Sequence, residues 1–241
     1  MKERGKFIVI EGADGTGKET QSRLLTKRLE GMDIPFVMFD FPQYETTFFG
    51  KLVGRFLKGD FGGLKEVSPF LASLTFAGDR WQAGPKIRKI LEGGTNVISN
   101  RYFLSNVAHQ AVKLPNETRI EFIDFLKELE YGVYNIPKED LNIVLHVPCE
   151  ISQKLILKKA ARSYLEGKIK DIQEADVSYQ LEAANLYREI PNIFPNVVGI
   201  ECAMQGELLP PDEIHNQIWK EVSNLLVSTS VEGAPKGRER L

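Results

Sequence analysis

An apolar run, Phe7-Ile8-Val9-Ile10, gives way to a loop with glycines at 12, 15 and 17 and then to Lys18, so that Gly-x-x-x-x-Gly-Lys falls where a strand hands over to a helix. Glycines at these places let backbone N–H groups turn inward around phosphate oxygens. The helix start adds the positive end of its dipole, and the lysine reaches the β- and γ-phosphates of a nucleotide. Gly12, Ala13, Asp14, Gly15, Thr16, Gly17, Lys18, Glu19 and Thr20 are therefore the expected grip on a triphosphate. One position breaks the pattern. The residue after the lysine, normally a Ser or Thr that binds magnesium, is Glu19, and the hydroxyl arrives one place late at Thr20.

Four more apolar runs read as strands: 35–39, 96–99, 141–147 and 196–202, the first of them as a buried strand. Helical spacing fills 21–30, 46–57, 69–91, 104–112, 117–130, 171–189 and 211–226, with a break expected near Pro85. Five strands alternating with helices predict a three-layer, doubly wound α/β fold on a mainly parallel five-stranded sheet. Such sheets bind ligands at the carboxyl ends of their strands. The glycine loop, Phe41-Pro42, Asn100-Arg101 and Cys202-Ala203 each follow a strand and so converge on that edge. With no repeat and no linker, residues 1–228 read as one domain, in which the basic segment at about 158–172 forms a helical lid. Residues 229–241 lack apolar periodicity and read as a disordered tail.

Charge limits the partners. Thirty-one basic and 33 acidic residues leave a formal charge of -2, which argues against a nucleic-acid polymer or an anionic membrane, so any phosphate must be neutralised locally. Cys149 and Cys202 match no metal or redox spacing and read as reduced thiols. The start MKERGKF has no apolar signal region, and no run approaches membrane-spanning length. The cytoplasm is the expected location.

Taken together, FIVIEGADGTGK at 7–18, FPQY at 41–44, FAGDR at 76–80, NRYFLSNVAHQ at 100–110, DIQEAD at 171–176 and the LY pair at 186–187 resemble the thymidylate kinases, within the P-loop nucleoside-monophosphate kinases. The resemblance implies a P-loop NTPase type of fold and transfer of the γ-phosphoryl of ATP to dTMP, giving dTDP and ADP, with Mg²⁺ as cofactor. It also implies a homodimer built on long helices, for which 70–76 or 122–129 offers an apolar face.

By the same resemblance Lys18, Asp14, Arg101 and Arg162 carry the catalysis, with Lys158, Lys159 or Lys168 as substitutes for the lid arginine. The acceptor nucleotide falls to Phe41, Pro42, Tyr44, Phe76, Arg80, Arg101, Ser105, Asn106, Gln110 and Glu174. Phe76 and Arg80 lie four apart on a helix, hence on one face, where an exposed ring stacks on a base and the arginine reads a carbonyl. Arg101 is a planar, permanently charged fork suited to a phosphate monoester. His109 stands where the family has an aromatic residue near the sugar. Asn100 replaces the family's aspartate at the end of the third strand, which takes a carboxylate from the metal's surroundings. Asp14 and Glu19 are the metal candidates, Glu19 supplying the negative charge that Asn100 lacks. The competing readings are a kinase of another deoxynucleoside monophosphate and a P-loop protein without catalysis. No Asn-Lys-x-Asp motif supports a GTPase.

Overall fold

The computed structural model describes residues 3–156, 173 and 176–232. The expected lid at about 158–172 with Arg162, and also Glu174 and residues 233–241, lie outside the described residues.

Five strands, β1 (Phe7–Glu11), β2 (Phe36–Asp40), β3 (Asn96–Asn100), β4 (Leu141–His146) and β5 (Val197–Glu201), form one parallel sheet in the order β2-β3-β1-β4-β5. The central strand shows why both faces must be covered. Phe7 and Val9 point into one apolar layer with Val97 and Val144, while Ile8 and Ile10 point into the other with Ile98, Ile143 and Leu145. The first layer is closed by α3 (Pro69–Glu92), α4 (Phe103–Ala111) and α7 (Val177–Ile193), through Ile87, Val107 and Leu186 among others. The second is closed by α1 (Lys18–Glu30) and α8 (Pro211–Glu232), through Leu25, Leu29, Ile214 and Ile218. Each such side chain gains about 1.5–3 kcal/mol by leaving water, so a strand apolar on both sides is stable only between two helical layers. The three-layer, doubly wound fold is the one the sequence predicts.

Several expectations are corrected. β2 is an edge strand rather than a buried one: it pairs only with β3, and Met38 is 39% exposed. α3 runs unbroken through Pro85, because Ala83 and Gly84 before it and Ile87 and Leu91 after it are all buried, and packing on both sides outweighs the hydrogen bond the proline removes. The helix expected over 117–130 is α5 (Asn116–Lys127), followed by a π-helical turn at Glu128–Val133 whose wider winding turns Glu130 fully inward. α7 begins at Val177, capped by the Asp176 carboxylate on the Tyr179 N–H at 3.0 Å. α8 continues to Glu232, four residues into the expected tail, since no glycine or proline intervenes after Pro211. The two apolar faces named for a dimer interface touch each other, the Phe70 ring lying 4.9 Å from Phe122 and 5.0 Å from Phe125, while Phe70 and Leu71 stay exposed. A short hairpin, β6 (Ala203–Met204) with β7 (Glu207–Leu208), follows β5 and gave no periodic signal. The remaining helices are α2 (Phe48–Leu57) and α6, described over 149–156.

Candidate active site

The glycine loop joins β1 to α1 at the carboxyl edge of the sheet. Gly12 and Gly15 have φ of 142° and 75°, and a Cβ at either would lie 2.8 Å from the Leu145 carbonyl or 2.6 Å from that of Ser152, so backbone conformation and space both demand glycine. α1 starts at Lys18 with no side-chain cap, leaving its opening N–H groups directed at the loop's interior. Lys18 is folded back over the loop, its Nζ donating to the Ala13 carbonyl at 2.7 Å, and the Thr16 hydroxyl donates to the same oxygen at 2.9 Å.

Across the loop stands Arg101, the first residue after β3. Its φ of 63° is rare for a residue with a side chain, and its N–H donates to the Ile10 carbonyl at 2.9 Å, which ties the turn to β1. The guanidinium is ion-paired through Nη2 with Asp14 of the loop. Its Nη1 donates to Ser105 Oγ at 3.1 Å and His109 Nε2 at 3.2 Å, with the Gly12 carbonyl and the Tyr187 hydroxyl at 3.4 and 3.5 Å. The second Asp14 oxygen accepts from Gln180 Nε2 at 3.0 Å. Burial alone would raise the Asp14 carboxyl, but Arg101 and Lys18 more than offset it and hold the group well below the usual carboxylate range. Burial likewise opposes the Arg101 charge, and Asp14 outweighs it, so the guanidinium stays protonated.

Behind both sits Glu11, at the end of β1 and fully buried. Its carboxylate accepts from the Tyr102 N–H at 2.7 Å, the Ser105 N–H at 3.1 Å, the Ser105 hydroxyl at 2.7 Å and the Tyr187 hydroxyl at 3.1 Å. It thereby caps α4, which has no cap of its own at Tyr102, and joins β1, α4 and α7. Burial, then Glu11, pushes the Tyr187 hydroxyl well above its ordinary pKa, so it stays protonated. Sequence reasoning did not single out Glu11, although an acid ending an apolar strand was a usable signal.

The expected acceptor residues divide. The Phe41–Pro42 peptide is cis, and Phe41 is core, 4% exposed with its ring 5.4 Å from Tyr102. Pro42 is half-buried and Tyr44 exposed. Asp79 fixes this loop by accepting from the Gln43 N–H at 2.8 Å and the Thr47 hydroxyl at 2.5 Å. Phe76 is half-buried, edge-on to Phe56 at 6.0 Å. Arg80 is buried and gives Glu130 two hydrogen bonds of 2.5 and 2.7 Å, because a desolvated guanidinium needs a carboxylate.

Two buried amides lie one turn apart on α4. Asn106 turns its Nδ2 to Glu130 at 2.9 Å and the Ser73 carbonyl at 3.2 Å, while Gln110 turns its Oε1 to Lys113 Nζ at 2.9 Å. That leaves Asn106 Oδ1 and Gln110 Nε2 without a hydrogen-bond partner among the described residues. The His109 ring is buried between Arg101 and the Tyr179 hydroxyl, the latter 2.9 Å from Nδ1. Burial, then the Arg101 charge, brings its pKa down to about 3, so the imidazole is neutral.

For a metal, both Asp14 oxygens are engaged and Glu19 is exposed in the first turn of α1, where its charge also suits the helix dipole. At the end of β2, Asp40 accepts from Asn100 Nδ2 at 2.8 Å, and Asn100 Oδ1 has no partner among the described residues. Burial, with help from Glu19, raises the Asp40 carboxyl against the pull of Asn100, Arg101 and Lys18, so these groups share one field. No cluster of three or more His, Cys, Asp or Glu suited to a metal occurs among the described residues, and both cysteines are free.

A triphosphate-sized loop with its lysine, faced by a caged arginine at the carboxyl edge of a parallel sheet with this strand order, defines a P-loop phosphotransferase of the nucleotide-kinase class. The family model for thymidylate kinase matches residues 10–195. A thymidylate kinase from Dictyostelium discoideum is 29% identical over 206 residues, covering 80% of this chain and 86% of that one. A probable thymidylate kinase from Thermococcus kodakarensis is 31% identical over 227 residues, covering 91% and 98%. A solved thymidylate kinase structure from Candida albicans superposes with a TM-score of 0.68 at 24% identity and 92% coverage of both chains, which bears on the fold. The chain belongs to the thymidylate kinase family, the phosphotransferases that carry the γ-phosphoryl of ATP to dTMP.

If Glu11 braces the site, replacing it costs more than any one of its donors. Glu11→Gln places an NH₂ against N–H donors in a buried pocket and is expected to lose about 3 kcal/mol, against about 1 kcal/mol for Tyr187→Phe. Chemical denaturation checks this, and equal losses for the two variants would contradict the bracing role.

Proposed function

We propose a division of labour for ATP-dependent phosphorylation of dTMP at this site. The loop amides of residues 12–18 and the Lys18 ammonium hold the donor triphosphate, and Arg101 holds the 5′-phosphate of dTMP. The observation that carries this reading is the Asp14–Arg101 pair: the arginine lies across the loop, bound to a carboxylate of the loop itself. An oxygen of the acceptor phosphate attacks Pγ, the bond from Pγ to the β,γ-bridging oxygen breaks, and ADP leaves. Such a transfer asks the protein for alignment and for cations around the moving charge, which Lys18 and Arg101 supply, with Arg162 proposed as a third from the lid.

The base is read by Asn106 and Gln110. Glu130 and Lys113 fix the two amides so that an acceptor and a donor are left over, the complement of thymine's N3–H and neighbouring carbonyl. Cytosine presents the opposite polarity at that edge. Phe76, Pro42 and Tyr44 line the approach, and Arg80 acts by holding Glu130.

A nucleotide-borne Mg²⁺ keeps most of its waters and asks for only one or two carboxylates beside the phosphates. Glu19 and Asp40, which feel each other's charge, together with Asn100 Oδ1, which has no hydrogen-bond partner among the described residues, fit that demand, and Asp14 would become available once substrate takes Arg101. When bound, the ion neutralises charge on the β- and γ-phosphates.

No described helix is long and apolar enough to cross a membrane. Two free cysteines support the cytoplasm as the working location. For assembly we favour a homodimer in which a second copy covers the aromatic strip of Phe48, Phe49 and Trp81 between α2 and α3, where Phe48 is 68% and Trp81 48% exposed. Light scattering should find Trp81→Glu monomeric; an unchanged dimer places the interface elsewhere.

The activity test is ADP release with ATP, Mg²⁺ and one of dTMP, dUMP, dCMP or dGMP. We expect turnover with dTMP well above dCMP and dGMP, and losses of at least about 100-fold in Lys18→Ala and Arg101→Ala, each of which removes a transition-state cation. Full turnover in either variant would refute the proposed roles.

A further inference from the structure

We propose that His109 is a positioning residue: its imidazole, fixed as the Nδ1–H tautomer by Tyr179, supplies the lone pair that holds Nη1 of Arg101 and so turns the opposite edge of the guanidinium toward the acceptor phosphate. This rests on the role given to Arg101 above and adds the residue packed behind it.

The tautomer follows from the partners. An arginine can only donate, so His109 Nε2, 3.2 Å from Nη1, must accept and carries no proton. Nδ1 then bears the hydrogen and gives it to the Tyr179 hydroxyl at 2.9 Å, while that hydroxyl gives its own hydrogen to the His109 carbonyl at 3.0 Å. Every hydrogen in the chain has one acceptor. A proton on Nε2 would face an N–H, and a doubly protonated ring would set a second cation against a buried guanidinium. The neighbouring elements agree: Asp14 spends its carboxylate on Arg101 and Gln180, and Lys113 points its ammonium to Gln110.

On the arginine, Nη1 is occupied by Ser105 and His109, with Gly12 and Tyr187 further off. Nη2 meets Asp14, and Nε has no hydrogen-bond partner among the described residues. The Nε–Nη2 edge is the fork that takes two phosphate oxygens, provided that Nη1 is pinned behind it. A phenyl ring at position 109 fills the same space and pins nothing.

Steady-state kinetics of the full chain with ATP, Mg²⁺ and dTMP, on His109→Phe, His109→Gln and Arg101→Ala, test this. His109→Phe should raise KM for dTMP roughly tenfold, the worth of one hydrogen bond to a charged group, with KM for ATP unchanged. His109→Gln, whose Oε1 accepts from Arg101, should recover most of the loss. The nitrogen-15 spectrum of the unaltered protein should show an unprotonated Nε2 and a protonated Nδ1 at His109, a readout that does not depend on any variant folding. An unchanged KM for dTMP in His109→Phe, equal rises in both KM values, or a protonated Nε2 overturns the proposal. If Arg101→Ala also leaves KM for dTMP unchanged, the fault lies with the role of Arg101 rather than with His109.

Discussion

One buried carboxylate, that of Glu11, organises the carboxyl edge of the sheet. A charge removed from water must be repaid by hydrogen bonds, and the four donors that surround Glu11 come from the turn after β3, from the first turn of α4 and from α7. Satisfying it fixes where Tyr102 and Ser105 sit, and they in turn set the left-handed turn that throws Arg101 across the glycine loop. In a low dielectric each bond of such a network is strengthened and each missing one is costly, so the arrangement tolerates few alternatives.

The charge logic of the site follows. A chain of near-zero net charge cannot attract nucleotides by its overall field, so it concentrates cations at two points, Lys18 over the loop and Arg101 facing it. Before substrate arrives those cations need partners: Lys18 leans on a loop carbonyl, and Arg101 on Asp14. On the role proposed for Arg101, Asp14 stands where the acceptor phosphate would be held, and exchanging one anion for another at the guanidinium is less costly than stripping water from an unpaired arginine.

Much of this was legible in the sequence, and what was not has a common cause. The strands, the glycine loop, the convergence of Arg101 with Lys18 and the three-layer fold all follow from spacing along the chain. The functions of Glu11, Asp79 and Glu130 depend on partners far away in sequence: Arg80 and Glu130 are 50 residues apart, and Glu11 and Tyr187 are 176 apart. Phe41 and Arg80 sit in motifs yet are buried, because a motif gives residue type and not the direction of a side chain. β2 looked like a core strand since apolar content does not distinguish an edge from a centre. His109 was noticed in the sequence, but only the structure shows its contacts with Arg101 and Tyr179.

Two phosphate grips that face each other should be bridged by a single ligand, and this is the most direct measurement of the account. Calorimetric binding of an adenosine and a thymidine joined 5′ to 5′ through a polyphosphate should be at least about 100-fold tighter than binding of dTMP, since the second grip then acts at high effective concentration. That gain should vanish in Lys18→Ala and in Arg101→Ala alike. Binding of the bridged ligand no tighter than that of dTMP, in the unaltered protein, would mean that Lys18 and Arg101 do not serve one transfer reaction.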